Sequence, residues 1–262
     1  MISYIFALNL IQKTINSKFM KNYISVLIAA LAIIISAALL GNAFKNRNKF
    51  QNTISVTGLA SKAFTSDLIT WSGSFSENDF SLKSAYDALI ADKKIISEYL
   101  ISKGVKENEI VFSSVDIQKQ FKSYTDSNGN YQQGDFSGYN LSQSVSIRSK
   151  EVSKIENISR NITEIINRGI EFTSSSPLYF YTKLSEVKQQ MIADATKDAK
   201  ERAEKIAENA GGRLGNLKQA TMGVIQITAP NSGEDYSWGG TYNTTSKEKE
   251  ASITIRLEYE AN

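Results

Sequence analysis

The sequence predicts an α+β protein in which an apolar N-terminal helix precedes a domain of mostly antiparallel sheet with helices packed on one face. Three observations predict it: a long uncharged run near the start, segments in which apolar and polar residues alternate, and three helical segments that each end at a glycine. In chain order, the elements after the apolar helix read ββαββ and then αβαββ. The repeat of helix, glycine and strands also suggests an internal duplication, which the low identity between the units leaves open.

The uncharged run extends over residues 23–44 and is long enough to span a bilayer, since about 20 apolar residues suffice. An uncleaved transmembrane anchor within residues 20–44 is the first interpretation. A cleaved signal peptide is the alternative, with the small residues 41–43 (GNA) as the cleavage site. Lysine and arginine residues flank the run on both sides, so these charges alone do not orient the chain.

The segments around this run predict the domain organisation. A positively charged start at Met20-Lys21 directly before the run indicates that residues 1–19 are an upstream extension of the working protein. Residues 45–52 are short and polar, and we interpret them as a tether. Residues 53–262 then form the folded domain.

The domain opens with two alternating segments, 53–64 and 66–75, which we predict to be half-buried strands. A helix follows over residues 79–103 and ends at Gly104, because glycine readily adopts the left-handed position after a helix. Its expected buried face has apolar residues near helical spacing: Leu82, Tyr86, Leu89, Ile96 and Leu100.

Two strands over residues 109–121 and 139–149 come next, and Asn128-Gly129 between them predicts a long exposed hairpin. Ser149 is expected to cap a second helix that ends at Gly169. The predicted buried face of this helix is Val152, Ile155, Ile158, Ile162 and Ile165.

The last third of the chain is predicted to contain extended segments and one helix. An extended segment over 170–183 is interrupted at Pro177, and the final strands are 216–228 and 251–261. A third helix is predicted for residues 184–209, and small residues on its inner face would let it lie close to a sheet. That face is Leu184, Val187, Met191, Ala195, Ala199, Ala203 and Ile206.

The glycine cluster GGRLG at residues 211–215 raises the question of a phosphate-binding loop. Such a loop precedes a helix, whose free N–H groups and positive dipole end face the anion. Here the glycines follow the helix, and the G-G-x-x-G spacing fits neither nucleotide-binding pattern. Gly211 is therefore predicted to end the helix with a positive φ.

The composition excludes most reactive chemistry. The chain has no Cys and no His, which excludes thiolate nucleophiles, disulfides, Cys/His zinc sites and histidine acid–base catalysis. No spacing of Asp, Asn and Gly resembles a calcium-binding loop. The net charge of +3 is small and dispersed, so nucleic acid is not an expected partner. We expect no metal, no cofactor and no catalytic residues.

Three weaker patterns in the sequence are catalytic candidates. Two acid pairs lie in polar turns beside helix ends, where solvated carboxylates are expected: Glu77 with Asp79, and Glu107 with Glu109. Ser185 and Lys188 match S-x-x-K, but the companion motifs of that enzyme class are missing. A serine at a helix start is more often an N-cap.

The polar loop between the last two strands contains Tyr236, Trp238 and Tyr242. These aromatic side chains either pack onto their own sheet or form an interaction surface, because Tyr and Trp are favoured in interface hot spots. They are the residues that we nominate as a candidate interaction surface.

Four segments in order carry a family resemblance. They are a V-x-G strand followed by a second strand at 54–75, a helix, glycine and strand at 99–121, a G-Y strand and helix at 138–158, and an alanine-rich helix, glycine and L-G-x-L at 195–217. Over residues 53–260 they are similar to the SIMPL-domain family of bacterial envelope proteins. The chain departs from the family at a P-D step, which is Ser66-Asp67 here, and at a helix start that lacks an arginine.

The resemblance implies a secreted or membrane-anchored protein, linked to oxidative-stress defence, that can form large homo-oligomers and has no established catalytic residues. It implies a single-pass protein of the cytoplasmic membrane with its domain on the extracytoplasmic (periplasmic) side. We therefore expect a non-enzymatic, self-associating envelope protein. The alternative is a ligand-binding module for a cell-wall or small envelope molecule, with a pocket between the aromatic loop and the hairpin. A hydrolase built on acids or on Ser185 and Lys188 comes third.

Overall fold

A computed structural model describes residues 26–45, 53–125 and 129–261. Its first helix, α1, is Val26–Lys45, which has 20 residues and is apolar along most of its length, so its length and composition allow it to cross a membrane. Lys45, assigned to the tether from the sequence, is the last residue of this helix. The predicted extension at 1–19 and the remainder of the tether, 46–52, lie outside the described residues.

The α+β class is confirmed, with antiparallel strand pairing and, among the described residues, three further α-helices. The helices are α2 Leu82–Ser102, α3 Val152–Asn161 and α4 Leu184–Asn209, and short 3-10 helices occur at Glu107–Glu109 and Ile162–Arg168. The strands are β1 Thr53–Thr65, β2 Leu68–Asp79, β3 Ile110–Phe112, β4 Asp116–Thr125, β5 Tyr131–Ser149, β6 Phe172–Ser174, β7 Leu178–Phe180, β8 Leu214–Met222, β9 Gln226–Thr228 and β10 Glu248–Ala261.

The strands that the structure describes form two sheets. A six-stranded sheet has the order β3-β5-β2-β6, with β4 pairing with β5 and β7 with β2. A four-stranded sheet has the order β1-β10-β8, with β9 pairing with β10. The chain divides into two compact units: one takes in Thr57–Lys200 and Thr221–Arg256, and the other the described part of Met1–Val56 with Glu201–Ala220 and Leu257–Asn262.

The observed order ββαβββαββαβββ has more strands than predicted, because three predicted strands are each broken once. Between β3 and β4, the Ser113 hydroxyl oxygen accepts the N–H of Ser144 at 3.0 Å, and the Ser113 carbonyl accepts from Gln143 at 2.6 Å. The Ser113 N–H also donates to the Ser144 carbonyl at 2.9 Å, so side chains supplement the main-chain pairing where the predicted strand is broken. Pro177 separates β6 from β7, as its missing N–H predicts. Gly223 separates β8 from β9.

The core of the larger unit lies between the six-stranded sheet and the helices α2 and α3 on one face. Alternate residues of β2 and β5 point into it, and Ile69, Trp71, Leu141 and Ile147 are almost completely buried. The whole predicted face of the second helix is buried as well, although its last turns are the 3-10 segment that ends at Gly169, whose φ is 84°. Ser149 does not supply the cap residue, because the helix begins after Glu151 and the Ser149 hydroxyl accepts the Glu151 N–H.

The predicted face of α2 was partly wrong. Ser81 caps the helix, so it begins at Leu82, and the side chains of Leu82 and Tyr86 are exposed. Ala85 and Tyr99 are buried in their place, beside Leu89, Ile96 and Leu100 as predicted. Gly104 ends the helix at a φ of 86°, and the next N–H, that of Val105, donates to the Leu100 carbonyl at 3.1 Å.

Helix α4 has the predicted bounds, and its small residues allow close packing on β1. A Cβ at Gly58 would lie 2.2 Å from the carbonyl oxygen of Ala195 and 2.5 Å from the nitrogen of Ala199, so only glycine fits there. The N–H of Leu59 donates to the Asp198 carboxylate at 2.9 Å across the same contact.

In the smaller unit, the last turns of α4 bury Ala203 and Ala207, whereas Ile206, predicted to face inward, is half exposed. Gly211 follows the helix with a φ of 80°. The N–H of Gly212 donates to the Ala207 carbonyl at 2.9 Å, which completes a glycine-terminated helix end. The interpretation of the GGRLG cluster as a helix stop is therefore confirmed.

Candidate functional site

The loop over residues 229–247, which we call the aromatic loop, is held in place by the buried side chain of Gln226 on β9. The amide nitrogen of Gln226 donates to the Ser237 carbonyl at 2.8 Å. Its amide oxygen accepts the N–H of Thr241 at 2.9 Å and that of Ser237 at 3.3 Å. One buried amide thus satisfies three backbone groups and fixes the tip of the loop.

The return of the loop is fixed by main-chain bonds and by Lys249. The N–H of Ile227 donates to Thr241 and the N–H of Asn243 donates to Ile227, both at 2.8 Å. The ammonium group of Lys249 is fully buried and donates to the carbonyls of Asn243 and Ser246, at 2.5 and 2.7 Å. Burial lowers the pKa of Lys249 to about 8, although the negative charge of Glu234 acts in the opposite direction.

The three nominated aromatic residues have different surroundings. The hydroxyl of Tyr242 accepts the N–H of Tyr181, and its ring lies 6.4 Å from that of Phe180, so it packs onto its own domain. Tyr236 is 69% exposed, and its hydroxyl accepts a hydrogen bond from Ser252 at 3.3 Å. Trp238 is 100% exposed. Tyr236 and Trp238 line one recess, and Tyr242 lines another.

The second prominent surface is the hairpin of β4 and β5. All ten residues of β4 are exposed, among them the large apolar side chains of Ile117, Phe121 and Tyr124. The ring of Phe136 on β5 lies 5.9 Å from Phe121 and 5.1 Å from Phe80. The long exposed hairpin was predicted, although Asn128 of the predicted turn lies outside the described residues.

Glu77 and Asp79, one of the weak catalytic candidates, have different contacts in the structure. Glu77 is half buried beside Asp92 of α2 instead of acting with Asp79, whose carboxylate accepts the Ser81 N–H. Burial, followed by the Asp92 carboxyl group and the charge of Glu171, raises the pKa of Glu77. Within residues 26–45, 53–125 and 129–261, no group of three or more acidic side chains is placed to hold a metal ion.

The remaining candidates are two helix residues and a second acid pair. Ser185 lies inside the first turn of α4 and is exposed, as is Lys188. Ser185 is not the N-cap that the sequence suggested, because the Lys183 carbonyl accepts the N–H groups of Glu186 and Val187. Glu109 uses its carboxylate to accept the Lys106 N–H at a 3-10 turn. The Glu109 carboxylate thus serves the local backbone.

Sequence reasoning missed Gln226 and Lys249, the two side chains that shape the aromatic loop. Lys249 occurs in the charged run KEKE, where a solvated lysine is expected, and Gln226 lies in an ordinary strand pattern. The alternation of β10 was the available signal, because Lys249 shares the inward parity of Ala251 and Ile253.

The amino-acid sequence matches a known family. The model of the SIMPL family, described as a protein of unknown function (DUF541), matches residues 54–259. Comparison with curated proteins finds no match for this chain. Because the family model covers nearly the whole domain and follows the apolar helix α1, the chain belongs to the SIMPL family.

Proposed function

We propose that this chain is a non-enzymatic, membrane-anchored envelope protein that self-associates through the hairpin of β4 and β5. The observation that carries the proposal is that β4 is exposed along all ten residues and pairs with β5 on one side only, among the described strands. An edge strand of this length presents a row of N–H and C=O groups that can pair with another chain.

The chemistry of β4 supports a second copy as the partner. Ile117, Phe121 and Tyr124 provide apolar contact area on the exposed strand, while Lys119 and Lys122 lie between them. Antiparallel pairing of β4 with itself would be two-fold symmetric, and two-fold interfaces are the commonest in homo-oligomers. A membrane anchor would also confine all copies to one plane and raise their effective concentration.

The non-enzymatic part of the proposal is supported by composition and by the surroundings of the acids. The chain lacks Cys and His, and the carboxylates of Asp79 and Glu109 accept local backbone N–H groups. The aromatic loop presents Tyr and Trp side chains at its exposed tip, which suit binding better than bond cleavage.

Self-association is tested by light scattering on the full chain in detergent and on the fragment 50–262, which omits the apolar helix. We expect both to exceed the monomer mass. The double variant Phe121→Ser with Tyr124→Ser should weaken association at least about tenfold, because it removes apolar contact area from the edge strand. The matched control is Ile166→Ser, which removes an equally exposed apolar side chain from another surface.

A fragment that remains monomeric at high concentration would contradict the proposal. Association of the full chain alone would assign it to the membrane helix and not to the hairpin. Unchanged association of the double variant would also exclude the hairpin, while circular dichroism checks that each variant remains folded.

We extend the proposal to the extracytoplasmic (periplasmic) side of the membrane and to a role in envelope or oxidative-stress defence. The support is the family resemblance together with the anchor-like helix α1. Protease added to intact spheroplasts should digest the domain, and a deletion strain should become more sensitive to peroxide until the full chain is restored. Protection of the domain from protease would place it on the cytoplasmic side.

A further inference from the structure

The strongest unassigned feature is a recess of about 430 Å³ beside the tip of the aromatic loop. It lies between the loop and strands β1, β9 and β10, whereas the sequence suggested a pocket between the loop and the hairpin. Its walls are formed by Leu59, Val224, Gln226, Tyr236, Ser237, Trp238, Ser252, Ile253 and Thr254.

The recess is preformed, because the backbone that carries Trp238, its most exposed side chain, is constrained. Trp238 follows Ser237, whose N–H and carbonyl both bond to the buried Gln226 amide. Gly240 closes the turn with a φ of 90°, and a Cβ there would lie 3.0 Å from the Ile225 carbonyl oxygen. A fully exposed indole on a fixed turn suits ligand binding, because little conformational entropy of the loop is lost when the ligand binds.

The lining also defines the chemistry of the ligand. None of the described residues that line the recess carries a charge, so nothing there would hold a phosphate or a carboxylate. The indole of Trp238 offers a flat apolar face. Tyr236, Ser252 and Thr254 offer hydroxyl groups, and because Tyr236 accepts its bond from Ser252, its own O–H proton can be donated to a ligand.

We propose that this recess binds a neutral pyranose unit of a glycan. The sugar ring would lie with its C–H face on Trp238, and its hydroxyl or acetamido groups would bond to Tyr236, Ser252 and Thr254. A pyranose combines one apolar face with a polar edge, which matches an aromatic platform beside hydroxyl groups. The site is independent of self-association, because β4 contributes no residue to it.

The test uses the full chain in a detergent without a sugar headgroup, titrated with an N-acetylglucosamine hexamer and with a glucose hexamer. Trp71 is 2% exposed, so acrylamide quenching of tryptophan fluorescence reports mainly on Trp238. We expect saturable protection from quenching by at least one hexamer. Calorimetry should show about a tenfold or greater loss of affinity for Trp238→Ala and retention within about threefold for Trp238→Phe.

The controls separate this proposal from the others. Tyr131→Ala removes a similarly exposed aromatic side chain from the hairpin and should leave glycan affinity unchanged. Absence of saturable binding with both hexamers, or equal affinity of wild type and Trp238→Ala, would overturn the glycan site. Stronger protection by tetramethylammonium than by either hexamer would identify a cation site instead. Loss of self-association in Trp238→Ala without sugar binding would identify a protein interface and also overturn the proposal.

Discussion

The two halves of strand β5 differ sharply although they form one continuous strand. Residues 141–149 pair with β2 on one side and lie beneath α2 and α3, where Leu141, Val145 and Ile147 are buried. Residues 131–138 pair only with β4, and most of their side chains are exposed. The buried half belongs to the core. The exposed half forms a two-stranded ribbon with β4, and such a ribbon is only marginally stable by itself in water.

This difference teaches that strand formation and burial are separate properties. Both halves of β5 alternate and both pair in the antiparallel sense, yet only one is covered by helices. An exposed ribbon contributes little apolar burial, so its apolar side chains add little to stability, as the proposed contact between copies would require. Three substitutions in and beside β5 test this view, from the largest expected effect to the smallest.

The largest effect is expected from Leu141→Ala in the buried half. Leu141 is fully buried, so truncation should leave a cavity and lower the free energy of unfolding by about 2–5 kcal/mol. Its direct neighbour on β4 is Ile117, which is 52% exposed, and Ile117→Ala is the matched control with an expected loss below about 1 kcal/mol. Urea unfolding followed by tryptophan fluorescence, at a protein concentration too low for self-association, measures both. Equal losses would show that the two halves are equally packed.

An intermediate effect is expected from Gly138→Ala, at the junction of the two halves. The register between β4 and β5 shifts here, Gly138 has a φ of 136°, and a Cβ would lie 2.9 Å from the Asp79 carbonyl oxygen. Strain and contact together should cost about 1–3 kcal/mol in the same urea experiment. Gly129 also has a positive φ, but a Cβ there would meet no atom within 4 Å. Gly129→Ala should therefore lower the free energy of unfolding by only about 1 kcal/mol. If both variants cost the same, the close contact is unimportant.

The smallest effect is expected from Glu77→Gln, which neutralises the β2 neighbour of Leu141. The pKa of Glu77 is raised in the folded state, so the folded protein binds the carboxyl proton more tightly than the unfolded chain does. Protonation of Glu77 therefore stabilises the fold, and this stabilisation is lost as the pH rises through the pKa of the folded state. The variant should therefore be more stable than wild type at pH 7, by less than about 1 kcal/mol. The difference should fade as pH drops below 4.5, the ordinary glutamate value.

Thermal unfolding across this pH range measures the effect. Asp135→Asn, the control, removes an exposed carboxylate from the outer half of β5 and should leave the free energy of unfolding at pH 7 within about 0.5 kcal/mol of wild type. Destabilisation of Glu77→Gln at pH 7 would mean that the ionised form of Glu77 is stabilised and would contradict the raised pKa.

The sequence by itself determined the features that adjacent residues encode. The extent of α4, the glycines that end α2 and α4, the break at Pro177 and the apolar helix were all predicted, because periodicity, capping and backbone restriction act over a few residues. The family resemblance was visible for the same reason, since its motifs are short segments in a fixed order.

Only the tertiary structure decided which of several eligible side chains are buried and which distant groups meet. Tyr86 and Ile206 fit the helical spacing but are exposed, while Ala85 and Ala207 are buried, because the packing of the neighbouring elements selects one side of each helix. Likewise, Glu77 meets Asp92 instead of Asp79. The burial of Gln226 and Lys249 depends on a loop that closes over them, and such long-range pairing has no signature in local spacing.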